Sequence, residues 1–334
     1  MSELRQDRTT GGWVIIAPKR GRRPHMPEPG EPPRQRPRFD LSCPFCPGRE
    51  AQLPGIVAET KAPAPPGWSV RVVPNKFPAL EMRQDTPTSG CGDHLATPGR
   101  GAHEVIIESP WHDAELATMS APELSAVADV YRQRSRTLLA RDGIEAVILF
   151  HNHGRGAGAS LVHAHAQVIA LDIVPSRVAA MSDWCKRYYS EHQSCATCDE
   201  LAIECKSAKR LVDENEHFVA LVPFAAEHPF ELWIVPKEHQ ASLTALGDHE
   251  LPAFAELLGR SLRRLQAAAN DPPYNFVIDT APSRDIAAPH LHWRLRIAPD
   301  IAIWGGFELG AGLPINPSSP EDDAHLLRAV DAGP

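Results

Sequence analysis

Short apolar runs rich in β-branched and aromatic residues recur along the chain. Val70–Val73, Glu104–Glu108, Ala146–Phe150, Leu161–Leu171, Phe218–Val222, Glu231–Val235, Tyr274–Ile278 and Leu291–Ile297 each predict a strand. Longer segments at Ala121–Arg141, Val178–Glu191, His249–Ala269 and Pro320–Val330 predict helices. The first of these has Ser120 as an N-cap, Pro122 in its first turn and Gly143 just past its end. Residues 18–66 are rich in Pro and Arg and read as irregular, extended chain, and 86–101 read as a loop. Strands, then a helix, then strands, twice over, predict an α+β protein with antiparallel sheet.

The chemistry-bearing residues repeat with the pattern. Residues 1–175 hold Cys43-Pro-Phe-Cys46, then "ESPWH", a helix, and "HNHGRGAGASLVHAHAQ". Residues 176–334 hold Cys195-Ala-Thr-Cys198, then "VPKEH", a helix, and "HLHWRLRI". The shared order is Cys-x-x-Cys, a strand ending in Pro-x-His, a helix, a strand and a His-x-His strand. It reads as a diverged internal duplication joined near residues 172–194, with 1–175 and 176–334 as the two domains.

A net charge of −8 over 334 residues argues against a nucleic-acid binder. No apolar run reaches membrane-spanning length, and the polar opening MSELRQDRTT lacks the apolar region of a signal peptide. The expectation is a cytoplasmic protein, where paired cysteines read as metal ligands or redox pairs rather than disulfides.

Two thiolates three residues apart reach one metal from a tight turn, and zinc takes four such ligands, often completed by His. For Cys43 and Cys46, position in the repeat offers His112 and one of His163 or His165. For Cys195 and Cys198 it offers His239 and His292, with His290 in reserve. On a strand His163, His165 and Gln167 would share one face, with neighbouring members roughly 6.6 Å apart. That spacing suits a metal ligand beside a nucleophile. A neutral imidazole attacks phosphorus well and passes the group on, and Gln167 can donate to a phosphoryl oxygen without adding negative charge. The alternative is that both histidines hold metal. Upstream, Gly154, Gly156, Gly158 and Ser160 suit a phosphate cradle, although neither a P-loop nor a dinucleotide fingerprint is present.

These stretches, together with "APKRGRRP", "VVPNKFPAL", "DPPYNFVIDTAP" and "GGFELGAG", resemble the galactose-1-phosphate uridylyltransferase family of the histidine-triad superfamily over nearly the whole chain. The resemblance implies two tandem histidine-triad-like halves, each an antiparallel sheet with flanking helices. It implies a homodimer that borrows active-site residues across its interface. It implies nucleotidyl transfer from a nucleoside diphosphate sugar to a sugar 1-phosphate through a covalent nucleotidyl-histidine, here His165, with Gln167 holding the phosphoryl group. Asn152, Gly158 and Ser160 match substrate-contacting positions, Asn75 a nucleotide-binding position, and Arg20 and Arg23 phosphate-meeting residues. Zinc is implied at Cys43, Cys46, His112 and His163. The second set, Cys195, Cys198, His239 and His292, looks like the branch that also contains ADP-glucose phosphorylase, which makes zinc two ions per chain. The expected activity is that of a UDP-glucose:hexose-1-phosphate uridylyltransferase. The alternatives are a nucleoside diphosphate glucose phosphorylase and, from another class, a nucleotide-binding histidine-triad protein with no sugar-phosphate acceptor.

Overall fold

The computed structural model describes residues 2–22, 36–82, 98–302 and 304–331. In chain order the elements are β1 (Glu3–Gln6), β2 (Trp13–Ile16), β3 (Ala58–Lys61), β4 (Trp68–Pro74), β5 (Gly101–Ile107), α1 (Ala121–Leu139), β6 (Ala146–His153), β7 (His165–Leu171), α2 (Ser176–His192), α3 (Ala196–Ser207), β8 (Leu211–Glu214), β9 (Phe218–Leu221), β10 (Leu232–Pro236), α4 (Leu251–Ala269), β11 (Tyr274–Asp279), β12 (Arg294–Pro299), α5 (Gly306–Ala311), β13 (Ile315–Asn316) and α6 (Pro320–Ala329).

Ten strands form one antiparallel sheet in the order β3-β4-β5-β7-β6-β11-β12-β10-β9-β8. Read from either edge to the centre, the order is the same: three strands in sequence, then the last, then the fourth. The repeat in the sequence is therefore a repeat in topology. The two copies join at the seam of β6 and β11, where Asn152 pairs with Asn275 and His151 with Phe276. A small separate sheet, β1-β2-β13, brings the N-terminal strands to the chain's last strand.

Period-two alternation gives the large sheet two faces. Val147 and Leu149 of β6, Ala166, Val168 and Ala170 of β7, and Phe276 and Ile278 of β11 pack with α1 and α4 into the main core. Helix α4 places Leu251, Phe254, Ala255, Leu258, Leu262 and Leu265 on one buried side. Each large side chain so buried contributes about 1.5–3 kcal/mol. The two helices approach closely: a Cβ added at Gly259 would lie 2.9 Å from Leu124 Cδ1. Helix α1 starts where the sequence places it, with Glu123 accepting from the Ser120 backbone nitrogen at 2.8 Å.

The opposite face is covered at its two ends. Cys43, Phe45 and Cys46 pack on Trp68, Val73, Val105 and Ile107 at one end. Leu201 of α3 packs on Val219, Leu221, Trp233 and Val235 at the other. Between them Phe150, Asn152, Gln167, Asn275 and Val277 stay half-buried.

Two expected strands begin late. The chain enters strand only at His165 and Arg294, so His163 and His292 lie on the approach segments rather than in the ladder. The side chains explain this. His163 is held by the Ser109 carbonyl and the Cys43 and Cys46 sulfurs, and His292 by the Pro236 carbonyl and Cys198. The extended region around residues 18–66 contains the short strand β3, and much of the loop expected at 86–101 lies outside the described residues.

Candidate active site and metal centres

Cys43 and Cys46 sit on consecutive tight turns, the Cys46 nitrogen donating to the Cys43 carbonyl. Their sulfurs meet His163 Nδ1 at 3.6 and 3.7 Å, and Cys46 meets His112 Nδ1 at 3.6 Å. The edge of a tetrahedron with Zn–S of about 2.3 Å and Zn–N of about 2.05 Å is about 3.6 Å. All four residues are buried. His163 donates Nε2–H to the Ser109 carbonyl at 2.7 Å, which leaves the Nδ1 lone pair facing the sulfurs. Burial pushes the His163 imidazole down to about 4, so it is a neutral ligand.

The second cluster has the same dimensions. Cys195 precedes α3 and Cys198 lies in its first turn. Cys198 Sγ is 3.5 Å from His239 Nδ1 and 3.4 Å from His292 Nδ1, and His292 Nε2 points to the Pro236 carbonyl at 3.1 Å. Both quartets converge tightly enough to hold a metal ion. His292, not His290, is the histidine brought to the second cluster.

His165 opens β7 beside the first cluster. Its Nδ1 lies 2.8 Å from the His163 carbonyl, so Nδ1 carries the proton and Nε2 the lone pair. The edge of Phe45 packs on the ring at 5.3 Å. Burial lowers the His165 pKa, keeping the ring neutral at pH 7. A cavity of about 770 Å³ opens here, walled by His165, Asn152, Ser160, His151, His153 and Arg155 among others. A candidate metal ligand, His163, therefore sits two positions from a neutral imidazole at the edge of a ligand-sized space.

The loop from Gly154 to Ser160 borders the same cavity. Gly158 has φ +87°, a left-handed conformation that side-chain-bearing residues rarely adopt, and Asn152 lies against it. The loop closes on itself, the Gly158 nitrogen donating to the Arg155 carbonyl and Ala159 to Gly154. Those two N–H groups are therefore spent within the loop rather than offered to an anion. Asn275 Nδ2 donates to Asn152 Oδ1 at 2.8 Å and to the Ala157 carbonyl at 2.8 Å, leaving the Asn152 amide hydrogens free to donate.

Gln167 is two residues further along β7. Its Oε1 accepts from His103 Nε2 at 2.8 Å and from Asn75 Nδ2 at 3.3 Å, so its own NH₂ group is the end left for a ligand. Asn75 and Gln167 thus meet each other. Arg20 is exposed on a one-turn helix, Pro18–Arg22, and is not among the cavity walls; Arg23 lies outside the described residues. His103 and Asn275 were missed in the sequence. Each is recognisable only from cross-strand register, His103 opposite Ile169 and Asn275 opposite Asn152.

Two family models match the chain: galactose-1-phosphate uridyl transferase, N-terminal domain, over residues 1–175, and its C-terminal domain over residues 182–296. The chain belongs to the galactose-1-phosphate uridylyltransferase family of nucleotidyltransferases. It is 37% identical over 332 residues to the ADP-glucose phosphorylase of Arabidopsis thaliana, covering 98% of this chain and 93% of that one. It is 28% identical over 342 residues to the galactose-1-phosphate uridylyltransferase of Thermotoga maritima, covering 99% of each. The crystal structure of an ADP-glucose phosphorylase from Arabidopsis thaliana with bound ADP-glucose superimposes with a TM-score of 0.85 at 36% identity, over 99% of this chain and 100% of that chain. A uridylyltransferase structure superimposes at 0.76 with 29% identity, over 98% of each. Among the described residues no helix is long and apolar enough to cross a membrane.

Proposed function

We propose that the chain takes a nucleotide from a nucleoside diphosphate glucose as a covalent nucleotidyl-His165 and delivers it to a hexose 1-phosphate, in the manner of a UDP-glucose:hexose-1-phosphate uridylyltransferase. The observation that carries this reading is the neutral His165, its Nδ1–H tied to the His163 carbonyl and its Nε2 left for attack at a cavity wall. Nε2 forms a bond to the α-phosphorus, the bond from that phosphorus to the bridging oxygen breaks, and glucose 1-phosphate leaves. A phosphate oxygen of the second sugar phosphate then attacks the same phosphorus, and the P–N bond returns its electron pair to Nε2. The amide hydrogens of Gln167 and Asn152 are placed to donate to phosphoryl oxygens, with Ser160, Gly158 and Asn75 shaping the nucleotide's surroundings.

In this reading the two Cys₂His₂ clusters hold two zinc ions. Closed four-ligand sets leave no position for substrate, so their contribution is structural. The first set fixes the backbone that orients His165. Arg20 meets phosphate, within its own chain or across a homodimer interface, and the matching Arg23 lies outside the described residues.

A second reading has one specific support. The relative named ADP-glucose phosphorylase shares 37% identity with the chain, against 28% for the Thermotoga uridylyltransferase. There the nucleotidyl group would pass to inorganic phosphate. The experiment is intact-mass measurement after incubation with UDP-glucose or ADP-glucose, then discharge of the isolated adduct. The added mass names the nucleotide. Discharge by galactose 1-phosphate with phosphate inert supports the lead reading, and discharge by phosphate alone replaces it with phosphorolysis. No adduct with either donor overturns both.

A further inference from the structure

Below the cavity lies a buried polar chain that none of the steps above uses. Glu108, just past β5, is 2% exposed. Its Oε1 accepts a hydrogen bond from the Tyr131 hydroxyl of α1 and lies 3.1 Å from His151 Nδ1 of β6. Its Oε2 is buried with no partner among the described residues. Tyr131 is wholly buried, and burial, reinforced by the Glu108 carboxylate, holds its phenol well above its ordinary value, so it remains an O–H donor.

A carboxylate buried with one oxygen unpartnered is a costly way to fill a core. The residues preceding His151 on the same face of β6, Val147 and Leu149, are ordinary apolar packing. Something other than packing accounts for a Tyr–Glu–His chain at this point.

The chain ends at one specific atom. The His151 ring lies flat against Phe276, with centroids 5.0 Å apart at 15°, and against Tyr274 at 6.0 Å and 18°. The ring plane is fixed by stacking and Nδ1–H is fixed by Glu108. A neutral imidazole so held has its lone pair on Nε2, on the far side of the ring from the carboxylate. Nε2 makes no hydrogen bond to any described residue, and His151 lines the cavity that His165 also lines.

We propose that His151 is a specificity-determining residue whose Nε2 accepts a hydrogen bond from a sugar hydroxyl of the bound nucleoside diphosphate sugar, and that Glu108 and Tyr131 are positioning residues that fix its tautomer. The proposal rests on the reading of the cavity as the nucleotide-sugar site. A hydroxyl is the fitting ligand because it donates to a bare ring nitrogen, which a phosphoryl oxygen does not. A site built to pair a hydroxyl rejects the analogue lacking it by orders of magnitude, since the buried acceptor is then stranded.

The test is calorimetric binding of full-length, zinc-loaded protein carrying His165→Gly to block chemistry, using whichever of UDP-glucose and ADP-glucose binds. The 2′-deoxyribose analogue probes the ribose, and the nucleoside diphosphate without hexose probes the sugar. The expected result is that His151→Leu weakens the full ligand about tenfold to a hundredfold while one analogue binds equally to both proteins. That analogue names the hydroxyl. Glu108→Gln should weaken binding on its own and add nothing to His151→Leu, as expected for a residue acting through another. His151→Asn serves in the same design if the leucine variant does not fold. Equal loss for every ligand, no loss, or additive Glu108 and His151 effects overturn the proposal. No binding of either donor to the parent overturns the nucleotide-sugar reading itself and this proposal with it, a result distinct from binding that ignores His151.

Discussion

The two Cys₂His₂ clusters are one device in two settings. Both present Nδ1 to sulfur at 3.4–3.7 Å and tie a ligand imidazole's Nε2 to a backbone carbonyl. In the first, the ligand is the leading histidine of His-x-His, and the trailing one, His165, opens on the cavity. In the second, the ligand is the trailing histidine, His292, and the leading one, His290, is buried with Nε2 unpartnered among the described residues. Gln follows two residues after His165, whereas Trp293 and Arg294 follow His292. Trp293 is wholly buried among Phe218 and Phe254, and Arg294 is ion-paired to Asp279 at 3.1 Å. A shift of two residues in which histidine joins the cluster thus separates an imidazole at the cavity wall from one that does not line that cavity.

The largest expected effect tests that offset directly. His165→Gly should leave no nucleotidyl adduct in an intact-mass assay, while His290→Gly should be labelled like the parent. An adduct on His165→Gly sinks the nucleophile assignment, and an unlabelled His290→Gly sinks the contrast between halves.

Next comes the residue two beyond each motif. Gln167→Ala should slow adduct formation by about 10²–10³ through loss of one oriented donor, with little change in stability. Arg294→Ala should do the reverse. It takes away one of the two guanidinium partners of the half-buried Asp279 carboxylate, leaving Arg296 at 3.6 Å, and removes a guanidinium stacked 3.7 Å over Trp233, at a cost of about 1.5–3 kcal/mol with near-parental rate. Denaturant melts and single-turnover labelling on the same two proteins decide it; matching rate losses would break the distinction.

Metal loss should divide the same way. Cys46→Ser and Cys195→Ser should each remove one zinc from a parental two, counted by elemental analysis. Only Cys46→Ser should also slow labelling, by about 10–100-fold, because the His163 backbone orients His165. Cys195→Ser should label within about threefold of parent yet unfold far more readily, since metal binding to a closed site is folding free energy. Less than one zinc per chain in the parent would remove the premise.

What the chain discloses in advance follows from how local each signal is. Helices α1 and α4 and the Cys-x-x-Cys pairs are written within single segments, and their spacing is enough to find them. The His-x-His motif is legible and so is its strand, but not where the strand begins: contacts with Cys43, Cys46 and the Ser109 carbonyl keep His163 off the ladder that alternation predicts. His103, Asn275 and the Glu108–His151 pair become visible only when β5, β7, β6 and β11 are in register, because each acts on a residue far away in sequence. Helix α3 is not among the helices the sequence predicts, since a Cys-x-x-Cys pair suits a tight turn as well as the first turn of a helix. Strands β1 and β2 are too short to stand out, and their role is set by contacts with the far end of the chain.

Those far contacts give the smallest prediction, which concerns how the second half is held. Glu321, in the first turn of α6, accepts from Arg5 of β1 at 3.0 and 3.1 Å and from Arg210, just before β8, at 2.5 Å. Burial alone would raise its pKa, but the hydrogen bonds from Arg5 and then Arg210 hold it down to about 2. A carboxyl depressed in the fold contributes stability that is complete above its ordinary value of 4.5 and is lost as pH falls from there toward about 2. Asp323, one position beyond Asp322 on the same helix, works in the opposite sense. Burial raises it to about 6, so its contribution declines as pH rises from its ordinary 3.8 toward 6 and is constant at lower pH. Below pH 3.8, then, Glu321 rather than Asp323 shapes the acid limb. Glu321→Gln should flatten denaturant stability between about pH 4.5 and 2.5 relative to parent while leaving labelling at neutral pH unchanged. The screening of a partly exposed ion pair keeps the difference small. Parallel acid limbs for the two proteins would show that the Arg5–Glu321–Arg210 clamp does not couple the N-terminal strands to the second half.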